Sequence, residues 1–114
     1  METVVATENL SPCFAHPFVS VLKGTETNLT YNNTRLTYSF VTEGKTVKYA
    51  VAFCAPADQF SKRIGRQISE GRLSTHPHVI ENIDTTNMQN VHGAIQFSIQ
   101  SHLPVTWLNI HFKE

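Results

Sequence analysis

The sequence predicts an α+β fold in which an antiparallel β-sheet meander carries two helices packed on one face. Segments of alternating apolar and polar residues fill the first half of the chain and recur at 105–112. Two segments with helical periodicity lie between them, and turn-forming residues separate the first strands by only a few positions. A chain of 114 residues is expected to form one domain, 1–114, with 1–16 as an N-terminal arm.

The hydrophobic pattern of the first half predicts a meander of short strands. A strand is expected at 18–22, and alternation resumes on either side of Asn32-Asn33. Because asparagine tolerates the positive φ of a tight turn, this pair predicts a β-hairpin spanning 29–41. The strand at 46–54 follows after a short Glu-Gly-Lys turn, so it should lie antiparallel beside the hairpin.

The residues after this strand predict an amphipathic helix over 57–71. Pro56 suits the start of a helix, Asp58 would face the free N–H groups of its first turn, and Gly71 would form the C-terminal cap. Gly65 costs about 1 kcal/mol relative to alanine in a helix interior, which indicates close approach of another backbone or of a ligand. The apolar stripe that should cover the sheet consists of Phe60, Ile64 and Ile68.

A second helix is predicted over 86–101, with Asp84 or Thr85 as its N-cap. The segment 79–83 before it is expected to form a short strand or one helical turn. The apolar positions of the second helix step by three or four residues: Met88, Val91, Ile95 and Ile99.

Composition limits the classes of function. Lys+Arg and Asp+Glu number nine each, so the formal net charge is zero, which argues against bulk nucleic-acid binding and against a membrane-surface protein. The sequence lacks an apolar run of about 18 residues for a spanning helix, and its N-terminus does not follow the pattern of a secretory signal. Cys13 and Cys54 are therefore expected to be reduced thiols of a cytosolic protein.

Basic residues are concentrated in one stretch of this neutral chain. Four of the nine Lys+Arg residues lie between positions 58 and 73: Lys62, Arg63, Arg66 and Arg72. Arginine forks bind phosphate through paired hydrogen bonds, and an aromatic ring can stack on a base. A ligand site formed by Arg63, Arg66, Arg72 and Phe60 is therefore expected, against the simpler alternatives of a solvated helix face and a core role for Phe60.

Other candidate residues give weaker signals. If the basic helix is only a solvated face, the ligand site is expected around Asn90, His92 and the C-terminal strand. The six histidines are scattered, and His76-Pro77-His78 lacks further ligands at the ordered spacing of a zinc site. Cys54 would end a strand just before a helix, where a thiolate is favoured, although a buried cysteine is the simpler interpretation. We therefore expect a non-enzymatic protein without metal or cofactor.

The run AFCAPADQFSKRIGRQISEGRL, from Ala52 to Leu73, resembles phage-encoded proteins of the Thoeris anti-defence sponge family. This resemblance implies a non-enzymatic protein that binds and sequesters a cyclic nucleotide immune signal. The implied ligand is a cyclic ADP-ribose isomer, and some relatives also bind cyclic oligonucleotides. A homo-oligomer in the host cell cytoplasm, with pockets between subunits, is implied as well. The family's ligand residues do not align individually with this chain. The assignment of Arg63, Arg66 and Arg72 to the ligand site therefore depends on the concentration of basic residues in this stretch.

Two alternatives come from other functional classes. A phage inhibitor would dock the basic helix on an acidic or nucleic-acid-mimicking partner surface. An enzyme would depend on Cys54 or on a histidine, although no nucleophile–base constellation is visible. Independently of the resemblance, a small sheet with an apolar arm cannot bury all of its apolar surface within one chain. A homodimer or larger assembly is therefore expected.

Overall fold

The structure is a computed structural model that describes residues 11–25, 27–54 and 59–113. The predicted α+β class, with an antiparallel sheet and two helices, is confirmed. A short 3₁₀ helix, Gln100–His102, directly follows the second helix. In chain order the elements are β1 (Cys13–Ala15), β2 (Phe18–Thr25), β3 (Asn28–Glu43), β4 (Thr46–Phe53), α1 (Lys62–Thr75), β5 (His78–Ile80), α2 (Met88–Ile99) and β6 (Trp107–Phe112).

Strand β3 organises the sheet because its two halves have different neighbours. Its first half pairs antiparallel with β2, from Thr25↔Asn28 to Phe18↔Arg35. Its second half pairs antiparallel with β4 on one edge and with β1 on the other. The strand order is therefore β5-β4-β3-β2-β6, with β1 beside the second half of β3. The last part of the predicted N-terminal arm thus belongs to the sheet, whereas residues 1–10 lie outside the described residues.

The hairpin predicted over 29–41 is wrong. Asn32 and Asn33 lie inside β3, where they pair with Val21 and Ser20 of β2. Asparagine tolerates a turn but does not require one, and the ladder offered by β2 overrides that tendency. The chain reverses instead at the ends of β3, with Gly44 at a positive φ of 62° in the second turn. The predicted antiparallel contact with the 46–54 strand is confirmed by the pairing of β4.

The two helices lie over opposite faces of the sheet, so the prediction that both cover one face is wrong in this respect. Successive side chains of a strand project to opposite faces. Thr37 of β3 contacts Gly65 of α1, whereas the hydroxyl of its neighbour Tyr38 is hydrogen-bonded to Nδ1 of His92 in α2, at 2.6 Å. The fold therefore has three layers, with the sheet in the middle.

The apolar core lies between the sheet and α2. Val91, Ile95 and Ile99 are fully buried, as the helical periodicity predicted, whereas Met88 is 48% exposed. The helix is capped by Asn87, whose side chain accepts from the N–H of Gln89, rather than by Asp84 or Thr85. Sheet and C-terminal residues complete the core: Val19, Val21, Leu36, Tyr38, Phe40, Val47, Tyr49, Val51, Trp107 and Ile110.

Helix α1 packs through small residues rather than through the predicted apolar stripe. Gly65 and Ser69 are its buried positions, whereas Ile64 and Ile68 are 55% and 42% exposed. Phe60 precedes the helix and is only partly buried. The sheet face below the helix is itself small, formed by Thr37, Ser39, Ala50 and Ala52. A close approach of helix and sheet leaves no room for isoleucine between them.

The ends of α1 also differ from the prediction. The side chain of Ser61 caps the helix by accepting from the N–H of Ile64. Pro56 and Asp58, the predicted start signals, lie outside the described residues. Gly71 is not the C-terminal cap, because the helix continues to Thr75 and His76 follows as the C-cap. Beyond α1, the first residues of the 79–83 segment belong to β5, so this segment begins as a short strand. The predicted last strand corresponds to β6. Within the described ranges, no helix is long and apolar enough to cross a membrane.

Candidate ligand-binding site

A cavity of about 410 Å³ lies where the outer edge of β4 loses its partner strand. Strand β5 pairs with β4 only from Val47↔Ile80 to Tyr49↔His78. Beyond Tyr49 the edge of β4 faces the C-terminal end of α1 and the 3₁₀ helix. We call this cavity the histidine pocket; its lining residues are Ala50, Val51, Phe53, Arg72, His76, His78 and His102.

Arg72 is anchored at the wall of the histidine pocket. It lies in the last turn of α1, and its Nη1 donates a hydrogen bond to the carbonyl of Val51 at 2.7 Å. This contact satisfies a carbonyl at the open edge of β4 and restrains the guanidinium beside it. A guanidinium carries five N–H donors in a planar fork, and this bond uses one of them. A fork held in place loses less entropy when it binds a planar or tetrahedral oxyanion.

Three histidines reach the same pocket from three parts of the chain. His76 follows α1 directly, and its N–H donates to the carbonyl of Arg72 at 2.7 Å. His78 begins β5, and His102 ends the 3₁₀ helix. The rings of His78 and His102 are stacked, with centroids 4.0 Å apart and an interplanar angle of 23°. The ring of Tyr49 lies 5.0 Å from that of His78.

The electrostatics of the pocket favour an anion. Burial lowers the pKa of His78 below its usual value of 6.5, and the positive charge on His102 lowers it further. His78 is therefore neutral at pH 7. Among the described residues that line the pocket, none is Asp or Glu. The guanidinium of Arg72 thus keeps its positive charge without a carboxylate among the described lining residues, and an anionic ligand would complement it.

The three histidines do not form a metal centre. In the part of the chain that the structure describes, no group of three or more His, Cys, Asp or Glu side chains is arranged to hold a metal ion. The chemistry that the pocket offers is therefore hydrogen bonding and charge, from one guanidinium and three imidazoles.

A smaller cavity of about 210 Å³, which we call the α1 cleft, lies between the start of α1 and the sheet. Phe60 lines it, and the ring of His16 packs edge-on against Phe60 with centroids 5.8 Å apart. Nδ1 of His16 is hydrogen-bonded to Oγ1 of Thr37 at 2.8 Å. Burial lowers the pKa of His16, and the charges of three basic residues lower it further: Lys62, Arg66 and Arg35. Cys54 and Gln59 also line this cleft.

The structure separates the six residues predicted to bind a ligand. Arg72 lines the histidine pocket, whereas Phe60 lines the α1 cleft at the other end of α1. Arg66 acts electrostatically on His16 beside that cleft, and Arg63 is exposed on α1. The remaining two residues, Asn90 and His92, belong to α2 on the opposite face of the sheet.

His92 has a structural environment of its own. Besides its hydrogen bond to Tyr38, its ring packs edge-on against Phe40 with centroids 5.2 Å apart. These contacts bind His92 to the core face of the sheet, and Asn90 is exposed two positions earlier on the same helix.

The convergence of the histidines was not predicted from the sequence, in which they are scattered. The only local signal was the His-Pro-His run directly after the basic helix. His102 lies 24 positions beyond His78, so only the fold brings the two together.

Comparison of the chain with known protein families, curated proteins and solved structures found no match. The pocket geometry is therefore the structural observation that bears on function.

Proposed function

We propose that this protein is a non-enzymatic phage anti-defence protein that binds and sequesters a cyclic nucleotide signal. The proposed ligand is a cyclic ADP-ribose isomer, with cyclic oligonucleotides as further candidates, and the proposed site is the histidine pocket. One observation carries this proposal. An anchored arginine and three histidines surround one cavity whose described lining contains no carboxylate.

The dimensions and the chemistry of the pocket support a nucleotide-sized ligand. Pockets for small molecules typically measure about 300–1,000 Å³, and the histidine pocket has a volume of about 410 Å³. The fork of Arg72 suits the oxygens of a phosphate, and the imidazoles add further donors. Phe53, which also lines the pocket, supplies an aromatic surface for a base or a ribose.

The arrangement of the histidines favours capture over turnover. Acid–base cleavage of a phosphodiester needs two groups positioned at the attacked and the leaving oxygen. His78 and His102 instead lie against each other as a stacked pair. A stacked pair lacks that separation, whereas imidazole nitrogens can donate hydrogen bonds to a bound oxyanion.

The proposal includes a homo-oligomer in the host cell cytoplasm. The first half of β3 extends past the end of β4, and two of its apolar side chains, Leu29 and Tyr31, are 53% and 60% exposed. Exposed apolar side chains near an open strand edge are typical of contact surfaces. A second copy of the chain is the proposed partner, and a mass of 12.8 kDa in solution would contradict this part of the proposal.

The test is to incubate the purified protein with a cyclic ADP-ribose isomer, remove the free ligand, and heat the complex. We expect the supernatant to contain the intact ligand in a fixed ratio to protein. An enzyme would release a product of altered mass. A protein that retains no nucleotide would contradict the proposal.

Exposed side chains of α1 support a second candidate function. Ile64 and Ile68 are 55% and 42% exposed where they line the α1 cleft, and Lys62, Arg63 and Arg66 are exposed on the same helix. Exposed apolar and basic side chains on one helix suit an acidic protein partner, as the docking hypothesis requires. Under this hypothesis, Arg63→Glu combined with Ile68→Asp abolishes biological activity while the affinity for nucleotide stays unchanged. Loss of activity only with Arg72 variants would contradict it.

A further inference from the structure

We infer that the histidine pocket binds the phosphates of its ligand as a protonated cluster, so that ligand binding takes up protons from the solvent. This inference rests on the proposed function and adds the charge state of the site and its dependence on pH. It identifies the recognised group as a pyrophosphate or phosphodiester, bound by imidazolium groups together with Arg72.

The first step is the state of the empty pocket. The titratable and charged groups around His78 come from every element that encloses it: Tyr49 from β4, Arg72 from α1, His76 after α1, and His102 from the 3₁₀ helix. Burial and the charge of His102 both disfavour a proton on His78. Two positive charges on rings 4.0 Å apart would repel each other, so the empty pocket disfavours the doubly protonated pair.

The second step is the effect of a phosphate. An oxyanion bound in the pocket faces Arg72 and the histidines at once, and its charge favours the imidazolium form of each ring that it contacts. The pKa of His78 then rises from its lowered value, so a ring that is neutral at pH 7 gains a proton. An imidazolium donates from both ring nitrogens, which adds hydrogen bonds that the neutral ring lacks.

The third step is the consequence for affinity. If binding takes up one proton, the dissociation constant rises about tenfold for each unit of pH above the pKa of the free histidine. A site that depended on Arg72 alone would show no such slope, because a guanidinium keeps its charge throughout this range. The pH dependence therefore separates an imidazolium cluster from an arginine site.

The experiment is isothermal titration calorimetry of the unmodified protein with a cyclic ADP-ribose isomer joined through its two riboses. The pyrophosphate of such a probe stays ionised between about pH 6 and pH 8, so any proton taken up belongs to the protein. Titrations at one pH in two buffers with different ionisation enthalpies give the number of protons. Titrations across the range give the slope of affinity.

We expect uptake of about one proton per ligand near pH 7.5 and a dissociation constant that rises up to tenfold per pH unit. His78→Gln and His102→Gln should flatten this slope. His111→Gln is the matched control, since His111 lies on β6 with its ring 6.1 Å from that of Tyr31. It should behave like the unmodified protein.

Two results would overturn the inference in different ways. Binding with equal enthalpy in both buffers and no pH slope would show that the ligand binds without proton uptake, and the proposed function would stand. Absence of binding at every pH would overturn the proposed function together with the inference. The buffer comparison uses the unmodified protein, so the inference remains testable even if a histidine variant fails to fold.

Discussion

Gly65 of α1 packs directly on Thr37 of β3, so that a Cβ on Gly65 would overlap Oγ1 of Thr37 and lie 2.9 Å from its Cβ. This contact sets the distance between helix and sheet. It explains why the isoleucines of α1 lie at the margin of the interface, where they line the α1 cleft, and it positions Arg72, two turns further on, at the edge of β4.

Replacement of Gly65 by alanine tests this contact. Alanine gains about 1 kcal/mol of helix propensity over glycine, but overpacking of a close interface costs about 1–3 kcal/mol. We therefore expect Gly65→Ala to lower the free energy of unfolding measured by urea denaturation.

Gly71→Ala is the matched control for Gly65→Ala. A Cβ added at Gly71 would meet no described atom within 4 Å beyond its chain neighbours and the backbone of its own helix. This change should therefore raise the free energy of unfolding through helix propensity alone. Equal stabilisation by both changes would contradict the packing of Gly65 on Thr37.

The exposed isoleucines of α1 should contribute little to stability. Ile68→Ala is expected to change the free energy of unfolding far less than Ile95→Ala, since Ile95 is fully buried. A buried isoleucine truncated to alanine costs about 2–5 kcal/mol. Urea denaturation of the two variants measures the difference. A loss at Ile68 as large as the loss at Ile95 would show that the stripe predicted from sequence is part of the core.

Ser39 is the buried polar group whose removal should stabilise the fold. Its Oγ has no hydrogen-bond partner within the described ranges, although the side chain is fully buried. An unsatisfied buried polar group costs about 1–3 kcal/mol, so Ser39→Ala should raise the melting temperature. The contrasting variant is Ser98→Ala, which removes the 2.6 Å hydrogen bond to the hydroxyl of Tyr49 and should lower it. A lower melting temperature for Ser39→Ala would contradict this account.

Acidification should destabilise the protein in the absence of ligand. Burial, together with neighbouring positive charge, lowers the pKa of His16 and of His78 below the unfolded value of 6.5. The unfolded state therefore binds more protons as the pH falls through 6.5, and stability decreases until the folded-state pKa values are passed. Melting temperatures measured from about pH 8 to pH 5 should fall on the acid side. The fall should be smaller in His16→Gln and in His78→Gln, and an unchanged profile in both would contradict the assignment.

The sequence predicted α2 and the strand at 46–54 well because their burial follows simple periodicity. Val91, Ile95 and Ile99 are buried at the spacing that the sequence shows. The periodicity of α1 predicted the wrong buried face. This helix packs on the sheet through Gly65 and Ser69, and such small residues are not marked by a hydrophobic pattern. The cost of Gly65 in a helix did indicate a close approach, and the approaching group is the side chain of Thr37.

The site was only partly predictable, for a physical reason. Local charge, which a sequence displays directly, singled out Arg72, and this residue lines the histidine pocket. The histidines were not singled out, because the distance between His78 and His102 depends on how β5 and the 3₁₀ helix meet across the edge of β4. The position of Asn32 was unpredictable for the same reason. Its pairing with Val21 of β2 places it in a strand rather than in a turn, and that pairing depends on the fold.

The most direct test of the proposed site compares two arginines of the same helix. Arg72 lines the histidine pocket, whereas Arg63 is exposed on α1. We expect Arg72→Ala to weaken binding of a cyclic ADP-ribose isomer by about 1.5–3 kcal/mol, the range for a hydrogen bond to a charged group.

The measurement is calorimetric affinity, with the melting temperature recorded on the same samples because Arg72 also satisfies the carbonyl of Val51. Arg72→Ala should lose about ten- to a hundred-fold in affinity, and Arg63→Ala should bind like the unmodified protein. Equal affinity of both variants, with the fold intact, would contradict the assignment of the histidine pocket as the ligand site.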